Sequence, residues 1–394
     1  MATWIVVEDR AAACGGCVSP PNTFTAVDSH RMVIALGVDE TILWDQFIYS
    51  GAPEEFAWIL PVPSSQVVVE LASPDFIAAM DEATTPQVRP ASVPPCDVAT
   101  AGGGCGCGEF GPGFAPGPVD GVEVYSQAVV GPYETVTLGS EDPNALFAWM
   151  AGNGYAFPQD HIATLDHYIA QGSAFVILRL RPDASVSAMQ PVRVRFRGFM
   201  GTFPLKMVVV GAPGPIDLSL WVIGEQRYGS LNYATTTVDS GDLVWDWATN
   251  TSNYGEVFED TIFRNGGRAW VTEYAAPLAD SELAELLSTR ALDDFTAARA
   301  QVHYPYVTRL RTRMSADYLN EDLQLAIAED STGIDRELIA QRDINYECNE
   351  AATAGVTGRS RGNGAGQWLL LAGFLLLVGA AAPTRARSWP TRRT

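Results

Sequence analysis

The sequence predicts an α+β fold, built mainly on antiparallel sheets with several packed helices and completed by one C-terminal transmembrane helix. Three observations carry that expectation. Period-two apolar alternation recurs in blocks joined by hairpin-length turns, and helical stripes fall between blocks instead of after every strand. That arrangement favours antiparallel sheets over a doubly wound parallel one. The third observation is an uncharged terminal run closed by arginines.

Taken in order, Arg31 to Leu36 places Met32, Ile34 and Leu36 on one strand face, and Thr41 to Tyr49 returns after a turn at Gly37 to Glu40. Phe56 to Leu60 and Gln66 to Ala72 continue the pattern, with Pro61 and Pro63 marking an irregular connection. Ser73 and Pro74 open a short helix through Met80, since Ser accepts from free amides and Pro is tolerated in the first turn. Residues 84–121 hold glycines, prolines and three cysteines, which reads as a surface loop with the potential to bind. Its Gly-Gly-Gly-Cys-Gly-Cys-Gly run lacks the lysine of a phosphate-binding loop.

Strands resume over Val122 to Leu138. Asp142-Pro143 then opens a helix with Leu146, Phe147 and Met150 on one side. Asp160 to Gln171 is a second helix, with Ile162, Leu165, Tyr168 and Ile169 at core spacing and Gly172 as its stop. Five strands follow at Ala174 to Leu180, Val192 to Phe196, Leu205 to Val210, Asp217 to Gly224 and Tyr228 to Tyr233. A helical Gly241 to Thr249 and a strand near Arg268 to Tyr274 precede the longest helix. Asp280 caps it, and Leu283, Leu286, Leu287 and Phe295 form its buried stripe.

The terminal run is the expected membrane anchor. Gly362 to Thr384 contains no ionisable side chain, and Trp368, Leu369, Leu370, Leu371, Phe374, Leu375, Leu376, Leu377 and Val378 leave no polar face. About 20 helical residues cross a bilayer core of roughly 30 Å. Arg385, Arg387, Arg392 and Arg393 outnumber Arg359 and Arg361, so the C-terminus is expected in the cytoplasm and the body outside. A removable sorting tail at the cell surface is the variant of this reading. A tail-anchored protein with a cytoplasmic body is the rival topology, against the arginine bias.

The domain map that follows is an export remnant or disordered 1–13, a body over 14–345 with two subdomains as one option, a linker 346–367, a transmembrane helix 368–384 and a basic tail 385–394. The whole chain carries −21, and the part before residue 351 holds 19 basic against 46 acidic residues, a net of −27. So acidic a globule repels phosphate backbones, which excludes nucleic acid as an expected partner. Cys14, Cys17, Cys96, Cys105, Cys107 and Cys348 are an even set that suits disulfides of undetermined connectivity. Zinc is the rival, yet Cys105-Gly-Cys107 does not repeat the spacing of Cys14-Gly-Gly-Cys17. Neither metal nor cofactor is expected. Met1 to Ala13 is too short and acidic for a signal peptide, while Ala11 to Cys14 resembles a cleavage zone, so the true start is expected upstream.

Several segments together carry a resemblance: Cys14-Gly-Gly-Cys17, Ser29-His30-Arg31-Met32, Leu43-Trp44-Asp45-Gln46, Glu55 to Pro63, Val130 to Glu134, Asn153-Gly154-Tyr155 and Pro305 to Leu310. They resemble the uncharacterised bacterial family catalogued as domain of unknown function 2330. The resemblance implies a secreted or envelope protein with an N-terminal signal and often an apolar, arginine-ended tail. It implies no activity.

Candidate chemistry is sparse. Asp28-Ser29-His30 has the residue types of a hydrolase, but strand alternation sets Ser29 on the opposite face. His161 and His167 read as a helix-surface pair, and Glu54-Glu55 and Asp293-Asp294 as solvated charge. Trp44, Phe47, Tyr49, Phe56 and Trp58 read as core, or as a ligand platform if exposed. The sequence therefore predicts a non-catalytic ectodomain for a polymer, peptide or protein ligand. The alternative is a hydrolase-like envelope enzyme, with acids meeting a histidine near His30 or His303.

Overall fold

The computed structural model describes residues 16–18, 26–50, 57–91, 122–155, 157–181, 184, 189–210, 214–279 and 281–346. The chain divides into two units, Met1–Glu347 and Cys348–Thr394. The second lies outside the described residues, and with it the expected anchor, its arginine stop and Cys348. Cys14, Cys96, Cys105 and Cys107 also lie outside, as does the Cys17 side chain. Among the described residues, no helix is long and apolar enough to cross a membrane.

The first half of the chain runs β1 (Gly16–Val18), β2 (Ala26–Leu36), β3 (Glu40–Ser50), β4 (Ala57–Val62), β5 (Val67–Leu71), α1 (Pro74–Thr84), β6 (Gln87–Pro90), β7 (Glu123–Val130), β8 (Tyr133–Gly139), α2 (Pro143–Gly152), α3 (Ile162–Ala170) and β9 (Ala174–Leu180). The β2/β3 hairpin is antiparallel, as expected. Ser73 Oγ accepts from the Asp75 N–H and Asp142 Oδ1 from the Asn144 N–H, so both expected caps form. Helix α1 runs one turn past Met80. Pro61 lies inside β4, where β1 has ended its pairing at Ile59, so no ladder bond is lost on that side. The expected loop 84–121 starts later, because Gln87–Pro90 pairs with a strand some 250 residues on. At the β7/β8 turn, Gly131 has φ +57 and a Cβ there would sit 2.5 Å from the Leu71 side chain, so any other residue is strained there.

The second half runs β10 (Val192–Arg197), β11 (Thr202–Phe203), α4 (Leu205–Val208), β12 (Ile216–Gly224), β13 (Tyr228–Ser230), β14 (Ala234–Thr236), β15 (Val244–Asp246), β16 (Thr251–Ser252), α5 (Tyr254–Arg264), β17 (Ala269–Pro277), α6 (Glu282–Arg290), α7 (Leu292–Ala300), β18 (Tyr306–Met314), β19 (Leu323–Ile327), β20 (Glu337–Ala340) and β21 (Arg342–Ile344). Four expectations fail here. Leu205 to Val210 begins as a helix: Leu205 and Val208 pack into one core and Met207 and Val210 into another, a three-residue spacing that a strand cannot give. Tyr228 to Tyr233 is extended only as far as Ser230. Gly241 to Thr249 is a single 3-10 turn followed by β15, held by pairing to distant β21. The long helix is two, broken at Ala291 (φ −147°, ψ 50°) and capped by Ser281, whose hydroxyl accepts from the Ala284 N–H. Helix α5 was not expected.

Two sheets dominate. One has eight strands in the order β14-β17-β18-β12-β2-β3-β10-β5, antiparallel except at β2/β12 and β14/β17. The other has five, β1-β4-β9-β8-β7, all antiparallel. Their inner faces meet in one core, where Met32, Ile34, Leu218 and Leu220 from the large sheet join Trp58, Leu60, Val176 and Leu178 from the small one. Helices α1, α6 and α7 cover the outer face of the large sheet through Phe76, Ile77, Leu283 and Phe295. Helices α2, α3 and α4 cover the outer face of the small one through Met150, Leu165 and Met207. The result is a helix–sheet–sheet–helix stack. Each large apolar side chain buried in it contributes about 1.5–3 kcal/mol.

Candidate functional site

The four histidines separate by burial. His30 points from β2 into the inter-sheet core with its Nε2 against Asp45 Oδ1 of β3, and both residues are 1% exposed. Burial is the largest influence on Asp45 and pushes its carboxyl above the usual range, against the pull of His30. Tyr133 approaches from the small sheet. Its hydroxyl donates to the Gln190 carbonyl at 2.7 Å and accepts from the Gln190 N–H at 3.0 Å. Burial raises its pKa, and the Asp45 charge adds to the rise. Three segments of the resemblance thus come near one another in the core, the His30–Asp45 pair of the large sheet lying close enough to Tyr133 of the small one for its charge to be felt. The β2 bulge between Val27 and Ser29 interrupts alternation at Asp28, and the side chains of Asp28 and Ser29 lie outside the described residues.

His303 is exposed and edge-on to Tyr304, and His161 sits at the entry to α3. His167 is the one that meets an acid at the surface. Its Nε2 lies 3.3 Å from Asp322 Oδ2 and 2.9 Å from Gln171 Nε2, and its Nδ1 lies 3.4 Å from Lys206 Nζ. Asp322 gathers the rest. Its Oδ1 accepts from the Tyr168 hydroxyl at 2.7 Å and from the Lys206 N–H at 3.0 Å, which anchors the start of α4. Burial, then the Asp322 charge, pushes the Tyr168 hydroxyl far above its ordinary pKa.

Tyr168, Gln171 and Asp322 of this cluster line a cleft of about 230 Å³, which His167 and Lys206 do not line. Pro61, Pro63, Phe199, Met200 and Pro204 form apolar walls, with Tyr168, Gln171 and Asp322 as polar ground. Pro63 and Ser173 also line a neighbouring trough of about 1270 Å³, whose lining includes Glu123, Glu141, Asp142 and Asp166. The sequence placed His167 on the helix surface, which holds. It missed Asp322, 155 residues away, and its strand assignment for Lys206 hid the lysine.

A second ionic cluster lies on the outer face of the large sheet. Arg309 Nε donates to Glu273 Oε2 at 2.7 Å, and its Nη1 lies 2.7 Å from Asp81 Oδ1. The Tyr254 hydroxyl donates to Glu273 Oε1 at 2.7 Å, and Arg311 grips Asp217 with two bonds. Burial raises the Asp81 carboxyl, but Arg309, Thr85 and Arg31 outweigh it, so its pKa falls below the usual range. With both Glu273 oxygens engaged and its side chain fully buried, this network holds structure.

Asp294 corrects another expectation. Instead of solvated charge, it is 4% exposed and accepts from Trp44 Nε1, the Ser73 N–H and Arg193 Nη1 at 2.8 to 2.9 Å. Glu54, Glu55 and Phe56 lie outside the described residues, as do the side chains of Phe47 and Tyr49. Trp44 and Trp58 are wholly buried, so neither belongs to a ligand platform. Among the described residues, no group of three His, Cys, Asp or Glu side chains is placed to hold a metal ion.

The family described as "Uncharacterized protein conserved in bacteria (DUF2330)" matches residues 8–326. No curated protein and no solved structure matches the chain.

Proposed function

Because the chain belongs to this uncharacterised bacterial family, we propose that it is a membrane-anchored extracytoplasmic envelope protein whose body acts by binding. The uncharged stretch around 368–384 and the arginines after it support the anchor and its orientation. One observation carries the binding role. Both carboxylate oxygens of Asp322 are engaged within their own cluster, with Tyr168, the Lys206 N–H and His167, so the Asp322 carboxylate that lines the cleft is a fixed polar group among apolar walls. General acid–base catalysis needs such a group aimed at the substrate. The recess shares Pro63 and Ser173 with a larger acidic trough, which suits a polymer or peptide ligand and repels a phosphate backbone.

The test has two parts. A cytoplasm-only reporter fused after Thr394 is expected to be active, with the body shaved by protease added to intact cells. A protected body overturns the topology. The enzyme reading keeps one supporting observation, a histidine set between an acid and a lysine beside a cleft. Turnover of ester, peptide or glycoside probes that is lost in both His167→Ala and Asp322→Asn establishes it and sinks the binding role.

A further inference from the structure

The seven tryptophans among the described residues fall into two groups. Trp44, Trp58, Trp149, Trp221 and Trp270 are core residues, none more than 5% exposed. Trp245 and Trp247 stand apart, half-buried on the small sheet of β16, β15 and β21. Trp245 rests on a minor core formed by Leu243, Val257 and Ala340. Trp247 belongs to none of the hydrophobic clusters. Its ring stands 73° to Trp245 at 6.2 Å between centroids, and 70° to Tyr346 at 5.4 Å.

Two carboxylates accompany the rings. Trp247 Nε1 donates to Asp343 Oδ2 at 3.1 Å. Asp246 Oδ1 accepts from Asn345 Nδ2 at 3.0 Å and from the Ala248 N–H at 2.9 Å. Asn345 is held at φ +57°, one of two left-handed non-glycine residues described. Its amide, ahead of the Ala248 N–H, keeps Asp246 below the usual carboxylate range, so the charge persists into mild acid.

Ring geometry selects the ligand. A sugar stacks on a flat aromatic face, whereas Trp247 meets Trp245 and Tyr346 edge to face, so the three rings present faces turned at 70° and 73° to one another. The adjacent acids disfavour a phosphate, a carboxylate or an anionic lipid. A primary ammonium is strongly hydrated and prefers direct salt bridges, but a methylated one sheds water readily and is drawn to ring faces. We propose that Trp245, Trp247 and Tyr346 form a cage for a quaternary or methylated ammonium group, with Asp246 and Asp343 as its counter-charge. Free ammonium compounds and choline lipid headgroups share that chemistry.

The experiment is a tryptophan-fluorescence titration of the full chain with choline chloride at constant ionic strength, beside its neutral isostere 3,3-dimethylbutanol. Choline is expected to give a saturable change and the alcohol none. Trp247→Ala is expected to weaken choline at least ten-fold and Asp343→Asn several-fold. Trp247→Phe, which keeps an aromatic wall, retains part of the affinity and shows that loss in Trp247→Ala is not misfolding. Equal response to choline and the alcohol, or wild-type affinity in both Trp247→Ala and Asp343→Asn, overturns the cage. Cosedimentation with phosphatidylcholine against phosphatidylglycerol vesicles identifies the source. A choline-lipid preference that Trp247→Ala loses supports the headgroup, and choline binding without that preference supports a free compound.

Discussion

The chain contains the same pair twice, a histidine against an aspartate, in two settings. His30 and Asp45 are sealed between the sheets, whereas His167 is a third exposed above Asp322 at the edge of a cleft. The first pair ties strands of one sheet and neighbours a tyrosine of the other, so its worth is structural. In the second pair the histidine meets solvent while Asp322 stays buried. Chemistry alone does not assign a role to a histidine–carboxylate contact; access does.

The sharpest way to break this contrast is to remove one partner of the buried pair. Asp45→Ala is expected to destabilise by about 3–5 kcal/mol, because a polar ring is left uncompensated in the core. Denaturant titration reads it, and a change under 1 kcal/mol would show the pair to be dispensable. Arg309→Met comes next, at about 3 kcal/mol, since it takes the Nε donor from the buried Glu273 and leaves that charge to Tyr254 and Arg311 alone. Adding Glu273→Leu should recover part of that loss. Removing a helix cap, Ser73→Ala, is expected to cost about 1 kcal/mol. His167→Ala sits below about 1 kcal/mol, as for other partly exposed pairs.

Acid gives the gentlest probe. Asp81 has a folded pKa below its unfolded one, so its contribution is present above the unfolded value and is lost as pH falls through the folded one. Asp45 runs the other way: its raised pKa means that the folded state binds the proton more readily, so acid favours folding at that site. Stability measured between pH 6 and 3 should therefore fall less in Arg309→Met than in the wild type, because that variant has already lost the Asp81 partner.

Period and capping made the outer architecture readable. The alternation at Met32, Ile34 and Leu36, the caps at Ser73 and Asp142 and the stop at Gly172 all reflect local forces, and local forces are written in neighbouring residues. Lys206, Trp245 and Asp294 were misplaced for the opposite reason. A short apolar run has no decisive period, β15 exists because β21 pairs with it, and Asp294 is buried by Trp44 and Arg193. The cleft depends on Asp322 reaching α3 and α4 across the fold, so no spacing in the sequence announces it.

The contrast between the two pairs can be read in one labelling experiment. Diethyl pyrocarbonate footprinting of the full chain, followed by peptide mass spectrometry, reports each of its four histidines separately. The expected result is modification of His303 and His167 in the native protein, with His30 protected until denaturant unfolds it. Native labelling of His30 at the rate of His167 would contradict the division between a structural pair and an accessible one.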